Sequence, residues 1–180
     1  TVEQPGTSTL SDLDIGGQGD DATILAGDNK NVTVNVTNTG DVAATQTVNL
    51  TDAGFSDVEQ DSVDVTLAGG ASNESVTLNW TTSDGNAGTG DISVASENDT
   101  ATQSVAVQEP AFFKGNVTDT NEPVIEGETL AVTANVTNTG DVESTQTVNL
   151  TDTDFTDAEQ DTVYVTLSGG ESNESVTLEW

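Results

Sequence analysis

The chain has 180 residues, of which 32 are Asp or Glu and only two, Lys30 and Lys114, are basic, so its formal net charge is −30. Nucleic-acid binding depends on clustered Lys and Arg, so this charge excludes nucleic acid as a partner and argues against anionic membrane. Cys, Met and His are absent, which excludes disulfides, thiol and imidazole catalysis and Cys/His metal sites.

Apolar and polar residues alternate at period two, which is typical of half-buried β-strands. After an opening strand near Leu13 or Ile24 and a run around Val34, the predicted strands in chain order are TQTVNLT (45–51), DSVDVTL (61–67), SVTLNW (75–80), DISVAS (91–96) and TQSVAV (102–107). About seven short strands and no helical period predict an all-β fold of tandem antiparallel immunoglobulin-like β-sandwiches. No apolar run approaches the ~20 residues of a membrane span, so direct membrane insertion is not expected.

A displacement of 100 positions aligns Ile24–Trp80 with Val124–Trp180 without a gap and with 38 identities in 57 positions. A period of this length indicates duplication of a whole domain rather than a solenoid repeat. We predict the tail of a preceding repeat or a linker at 1–9, a first immunoglobulin-like domain at 10–109, and a second domain at 110–180 that lacks its last two strands.

The second copy has no counterpart of the apolar residues Ile92, Val94, Val105 and Val107. At ~1.5 to 3 kcal/mol for each buried aliphatic side chain, the loss is roughly 6 to 12 kcal/mol, comparable with the ~5 to 15 kcal/mol that stabilises a domain. We therefore expect the second copy to be unstable alone. Two sources of the missing strands stay open. One is a longer tandem array, favoured because VEQP (2–5) resembles VQEP (107–110), and the other is strand donation by another molecule.

The run EPVIEGETLAVTANVTNTGDVESTQTVNL (122–150), followed by a hairpin that ends in SVTLEW (175–180), resembles CARDB-type, adhesion-related immunoglobulin-like repeats of prokaryotic surface proteins, especially those of haloarchaea. The resemblance covers nearly all of the first copy and the first two thirds of the second. It implies a spacer, an adhesive module or a subunit of a shell or filament. Fold alone does not choose among these functions.

The acidic charge also resembles that of the proteins of halophilic archaea, in which Asp and Glu replace surface Lys. In dilute buffer, so many carboxylates would repel one another and weaken a compact state. Near 1 M salt the Debye length falls to ~3 Å, and surface carboxylates scarcely interact. We therefore predict a protein that is folded in molar salt.

Ten N-x-Ser/Thr sequons are candidate N-glycosylation sites: Asn31, Asn35, Asn49, Asn73, Asn79, Asn98, Asn116, Asn135, Asn149 and Asn173. N-glycosylation requires an accessible Asn with a hydroxyl two residues on. The alternation places four of them on outward strand faces, namely Asn35, Asn49, Asn135 and Asn149. An outward face of Asn and Thr also produces sequons without any glycan.

Three carboxylate clusters have the hard oxygen ligands that calcium prefers: LSDLD (10–14), TSDG (82–85) and TDTDFTD (151–157). None has the twelve-residue pattern of a calcium loop. In so acidic a chain a solvated surface is the favoured interpretation, and no cofactor is expected.

Aromatic residues recur in register as Phe55 with Phe155 and Trp80 with Trp180, which predicts anchoring of the core or of a hairpin rather than ligand stacking. The run AFFKG (111–115) is interpreted as an opening strand or an interdomain seam, and docking of a partner is the less favoured interpretation.

No constellation of nucleophile, base and metal is present, so we do not expect an enzyme. The expected function is that of a structural, extracellular module of a cell-surface protein, filament or glycoprotein stalk. Its expected partners are neighbouring repeats or protomers, through strand complementation, and N-linked glycan. The alternative is an adhesive module that binds a carbohydrate or a cell-surface partner through the loops TDAGFSD (51–57) and TDTDFTD (151–157).

Overall fold

The computed structural model describes residues 2–16, 23–56, 58–83, 85–152 and 159–180. It confirms the predicted all-β class, because the described residues form thirteen strands and no helix. Every strand pair is antiparallel except one. The chain divides into two compact units, which we call unit 1 (Thr1–Gln108) and unit 2 (Glu109–Trp180).

Unit 1 contains eight strands: β1 (Ser8–Ile15), β2 (Thr23–Leu25), β3 (Asn29–Asn38), β4 (Ala44–Thr51), β5 (Glu59–Leu67), β6 (Ser72–Thr81), β7 (Gly88–Ala95) and β8 (Thr100–Gln108). One sheet has the order β1-β3-β6, and the other has the order β2-β8-β7-β4-β5. The short strand β2 pairs in parallel with β8, with Ile24 opposite Val107.

The core of unit 1 follows from the alternation. Val32, Val34 and Val36 of β3 are at most 2% exposed, and they share one buried cluster with residues from both sheets. Phe55 packs against this cluster, with its ring 5.8 Å from that of Trp80. The two sheets therefore enclose the core as in a β-sandwich.

Unit 2 contains β9 (Phe113–Thr120), β10 (Ala131–Asn138), β11 (Ser144–Thr151), β12 (Glu159–Leu167) and β13 (Ser172–Glu179). Its sheets have the orders β13-β10-β9 and β11-β12. The core is smaller and consists of Val136, Val165, Leu167, Val176 and Leu178. Across the described part of unit 2, no strand corresponds to β7 or β8.

The first strands of the two units, β1 and β9, are not separated by the 100 positions that separate the other equivalent strands. Ser8 pairs with Asn38 in unit 1, and Phe113 pairs with Asn138 in unit 2. The strands β3 and β10 therefore keep the displacement of 100 positions, whereas β1 and β9 are displaced by 105. Strand β1 crosses the predicted boundary between residues 9 and 10, and the division between the units lies between Gln108 and Glu109.

Candidate interaction surfaces

The NTGD turn after β3 is built around a buried asparagine side chain. Asn38 is 3% exposed, and its Oδ1 accepts hydrogen bonds from the backbone N–H groups of Thr7, at 3.2 Å, and Gly40, at 3.0 Å. Its Nδ2 donates to the carbonyl oxygens of Val42, Leu67 and Ala68. One side chain thus joins the entry to β1, the turn after β3 and the end of β5.

Unit 2 repeats this junction with Asn138, which is 0% exposed. Its Oδ1 accepts from the N–H groups of Phe112 and Gly140, both at 3.1 Å, and its Nδ2 donates to the carbonyl oxygens of Val142, Leu167 and Ser168. The sequence analysis did not identify this junction. The available signal was that this Asn recurs at the same place in both copies without being part of a sequon.

The glycine of the same turn is required by a close backbone approach. A Cβ on Gly40 would lie 2.1 Å from the carbonyl oxygen of Pro5, and a Cβ on Gly140 would lie 1.9 Å from that of Pro110. Pro5 and Pro110 therefore occupy equivalent places at the entry to their units. The likeness of residues 2–5 to 107–110 reflects this shared entry.

Seven of the ten sequon asparagines are exposed: Asn31, Asn73, Asn79, Asn98, Asn116, Asn149 and Asn173. The other three, Asn35, Asn49 and Asn135, are half-buried. Of the four asparagines that alternation placed on outward faces, Asn149 is therefore the one that is exposed. The other three are partly covered by neighbouring side chains.

Two sequon asparagines have contacts that bear on their accessibility. Asn35 donates from Nδ2, the atom a glycan would take, to the carboxylate of Asp12 at 2.8 Å. Asn98 accepts at Oδ1 from the N–H of Ser8 at 3.3 Å and from the amide of Gln46. Asn98 thereby ties the turn between β7 and β8 to β1 and β4 through its oxygen.

The acidic clusters that suggested calcium are partly used for internal hydrogen bonds. Asp12 lies at a bulge in β1 and binds Asn35. Asp52, in the loop TDAGFSD, is 3% exposed and accepts from the hydroxyl of Ser56 and the N–H of Val58. Among the described residues no group of three or more acidic side chains is arranged to hold a metal ion. Asp84 and residues 153–157 of these clusters lie outside the described residues.

Two carboxylates in unit 1 have lowered pKa values. The ammonium of Lys30, 3.1 Å from Asp28, and then the N–H of Leu25 lower the pKa of Asp28 below 3.8. The N–H groups of Leu10 and then Thr100 lower the pKa of Asp99 below 3.8. The hydrogen bond from the N–H of Leu10 to the carboxylate of Asp99 fastens the turn between β7 and β8 to β1.

Five apolar residues of unit 2 are more exposed than their counterparts in unit 1. We call these residues the open face of unit 2, and they are Val124, Ile125, Val148, Leu150 and Trp180. Their counterparts in unit 1 are Ile24, Leu25, Val48, Leu50 and Trp80. Trp80 is 1% exposed and Trp180 is 44% exposed, and Ile125 is 72% exposed. Of the predicted anchoring of the core or of a hairpin, the core alternative is confirmed for Phe55 and Trp80, whereas Trp180 does not belong to the buried core of unit 2. Phe155 lies outside the described residues.

Part of the open face forms an open pocket of about 390 Å³ between Val124, Ile125, Leu130 and Trp180. The backbone of this pocket is fixed, because Leu130 and Trp180 exchange N–H to carbonyl hydrogen bonds of 2.8 and 2.9 Å. The other part lies on β11, where Val148 and Leu150 are half-buried against the core of unit 2.

The aromatic pair at the start of unit 2 has two different environments. Phe113 begins β9 and packs against the core of unit 2, which confirms the opening-strand interpretation of AFFKG. Phe112 is 61% exposed, and its backbone takes part in the junction at Asn138.

No family model and no curated protein matches the chain. Among solved structures, the chain is similar to the β-D-glucoside glucohydrolase from Trichoderma reesei, with 17% identity and a TM-score of 0.41 over 57% of this chain and 19% of that one. It is also similar to red sea bream transglutaminase, with 12% identity and a TM-score of 0.34 over 94% of this chain and 26% of that one. The chain spans about a fifth to a quarter of these proteins, and likeness at this level carries no inference about activity.

The described residues contain no helix that is long and apolar enough to cross a membrane.

Proposed function

We propose that the chain is a structural, non-enzymatic module of an extracellular surface protein of a halophilic archaeon, and that it forms part of a filament, a surface lattice or a stalk. The observation that carries the proposal is the recurrence of one buried junction, around Asn38 in unit 1 and Asn138 in unit 2. The repeated residues here maintain the framework. Repetition of a framework suits reach and assembly.

Charge and surface chemistry support the same proposal. A net charge of −30 suits a protein that functions in concentrated salt, where carboxylates are screened. Seven exposed sequons offer sites for N-linked glycan, which is found on surface and secreted proteins. In the first of the two loops proposed for adhesion, Asp52 closes the loop instead of facing outward, so this loop does not favour the adhesive alternative.

Location is the direct test. Antibodies raised against the folded chain in molar salt should label intact cells of the source organism, and electron microscopy of the label should show a filament, a lattice or a stalk. Cells lysed in the same salt serve as the matched control. Label that enters only lysed cells would contradict the proposal.

Glycan is tested separately by glycopeptide mass spectrometry of the native protein. We expect modification among the seven exposed asparagines before the three half-buried ones. Asn149 and Asn49 form a matched pair, because both lie in the sequence NLT and differ in exposure.

A further inference from the structure

Unit 1 shows how the surface that corresponds to the open face is covered. Strand β7 pairs antiparallel with β4, so that Val94 lies opposite Leu50 and Ala95 opposite Asn49. Strand β8 pairs in parallel with β2, with Val107 opposite Ile24. Four inward side chains of this hairpin are at most 3% exposed and belong to the core of unit 1: Ile92, Val94, Val105 and Val107.

Strand β11 of unit 2 has nearly the same sequence as β4, the strand of unit 1 that pairs with β7. Residues 145–152 are identical to residues 45–52. Within the described residues β11 pairs only with β12, so the edge that β4 offers to β7 carries no strand on β11. An uncovered strand edge beside apolar side chains is a template for strand addition.

Unit 2 also keeps the turn that presents the second pairing edge. Gly127 has a φ of +88° and Gly27 a φ of +86°. The N–H of Glu128 donates to the carbonyl of Ile125 at 2.9 Å, as that of Asp28 does to Leu25 at 3.1 Å. The backbone that receives β8 in unit 1 is therefore already shaped in unit 2, although Ile125 is exposed.

We propose that the open face of unit 2 binds a β-hairpin with the chemistry of β7–β8. The first strand of the hairpin lies antiparallel to β11, with an Ile or Val opposite Leu150. The second strand lies parallel to Val124–Ile125, and its inward Val covers Trp180. Between the two strands, a polar turn meets Gln146, which corresponds to the Gln46 that binds Asn98 in unit 1.

A hairpin that is not already part of a folded unit suits this face better than the β7–β8 hairpin of a second copy of the chain. In a second copy, β7–β8 is already held by its buried aliphatic side chains and by the hydrogen bonds of its turn to β1 and β4. Donation by a copy would expose the four aliphatic side chains that this hairpin buries in its own core.

The first experiment adds the synthetic peptide Gly88–Gln108, which has no Trp, to the full chain in molar salt. Trp180 is 44% exposed and Trp80 is 1% exposed, so acrylamide should quench mainly Trp180, and binding should lower the quenchable fraction of the fluorescence. The control chain Trp180→Phe should show no change. A peptide with Val94→Asp should bind at least ~10-fold more weakly, since an unpaired carboxylate would enter the apolar face. No change in quenching at millimolar peptide would overturn the proposal.

The second experiment tests the register and the source of the strand. Chain and peptide contain no Cys, so Asn149→Cys on the chain and Ala95→Cys on the peptide give one defined cross-link. We expect a disulfide with this chain and none with the matched Asn49→Cys chain, whose own β7 occupies the position. Equal cross-linking of both chains, or preferential cross-linking of a peptide that carries Ser93→Cys instead, would contradict the proposed pairing.

Sedimentation of the full chain without peptide tests whether a second copy of the chain covers the open face. A monomer whose open face is filled by added peptide agrees with the proposal. A dimer that protects Trp180 and excludes the peptide would replace the hairpin with a second copy and overturn it. The inference does not depend on cell-surface location, so its failure and that of the proposed function are distinguishable.

Discussion

Strands β4 and β11 share the sequence TQTVNLT, yet they differ in burial. Val48 and Leu50 are both 0% exposed, whereas Val148 and Leu150 are half-buried. The difference lies in the neighbours, because β4 lies between β5 and β7, whereas β11 pairs with β12 alone in the described structure. The same seven residues therefore form a central strand in one unit and an edge strand in the other. Alternation specifies which side chains face the core, but the neighbouring strands decide how far they are buried.

Salt concentration should separate the two units most strongly. Unit 2 carries 15 acidic residues and Lys114 in 72 residues, whereas unit 1 carries 17 acidic residues and Lys30 in 108. Unit 2 combines the higher charge density with the smaller core, so it should unfold first as salt is diluted. Hydrogen exchange read by mass spectrometry from 3 M to 0.05 M salt should show protection lost in β10 and β13 before β3 and β6. Simultaneous loss would mean that the core difference does not matter for stability.

The two tryptophans give the largest contrast between single substitutions. Trp80→Ala removes a buried side chain from the core and should lower the free energy of unfolding of unit 1 by about 3 to 5 kcal/mol. Trp180→Ala should lower that of unit 2 by less than about 1.5 kcal/mol, since 44% of Trp180 is already exposed. Urea titration in molar salt, followed by hydrogen exchange in each unit, measures both. Equal losses would show that Trp180 is buried in solution.

The pattern of strands was readable from the sequence, whereas the polar contacts and the exposure of Trp180 were not. Alternation alone identified the inward valines of β3 and five later strands of unit 1. The parallel strand β2 has three residues, and its pairing with β8 joins positions more than 80 residues apart, so no local pattern predicts it. Trp180 and Trp80 have nearly identical local sequences, and only tertiary neighbours distinguish them. The role of Asn38 depends on carbonyls at the far end of β5, which the turn sequence does not reveal.

Loss of the asparagine junction should lower the free energy of unfolding by similar amounts in both units. The two tryptophan substitutions, in contrast, should have unequal effects. Asn38→Ala and Asn138→Ala each leave buried carbonyl and N–H groups without their partner, and each such group costs ~1 to 3 kcal/mol. We expect each variant to lose about 3 kcal/mol in its own unit. The exposed Asn79→Ala is the control and should change stability by less than about 0.5 kcal/mol. If Asn138→Ala had little effect, the junction would be a framework element of unit 1 alone.

The smallest expected effect is a pH dependence confined to unit 1. Asp99 links the β7–β8 turn to β1, and the N–H groups of Leu10 and Thr100 lower its pKa below the ordinary 3.8. Because the native pKa is the lower one, ionised Asp99 stabilises unit 1 fully above about 3.8, and this contribution is lost as the pH falls through the native pKa. Asp99→Asn should therefore destabilise unit 1 at pH 6 and flatten its loss of stability between pH 4 and pH 2. Glu97→Gln, in the same turn, is the matched control. Unit 2 has no counterpart of this link among its described residues, so its pH profile should be the same in both variants. A change there would mean that the two units do not respond independently.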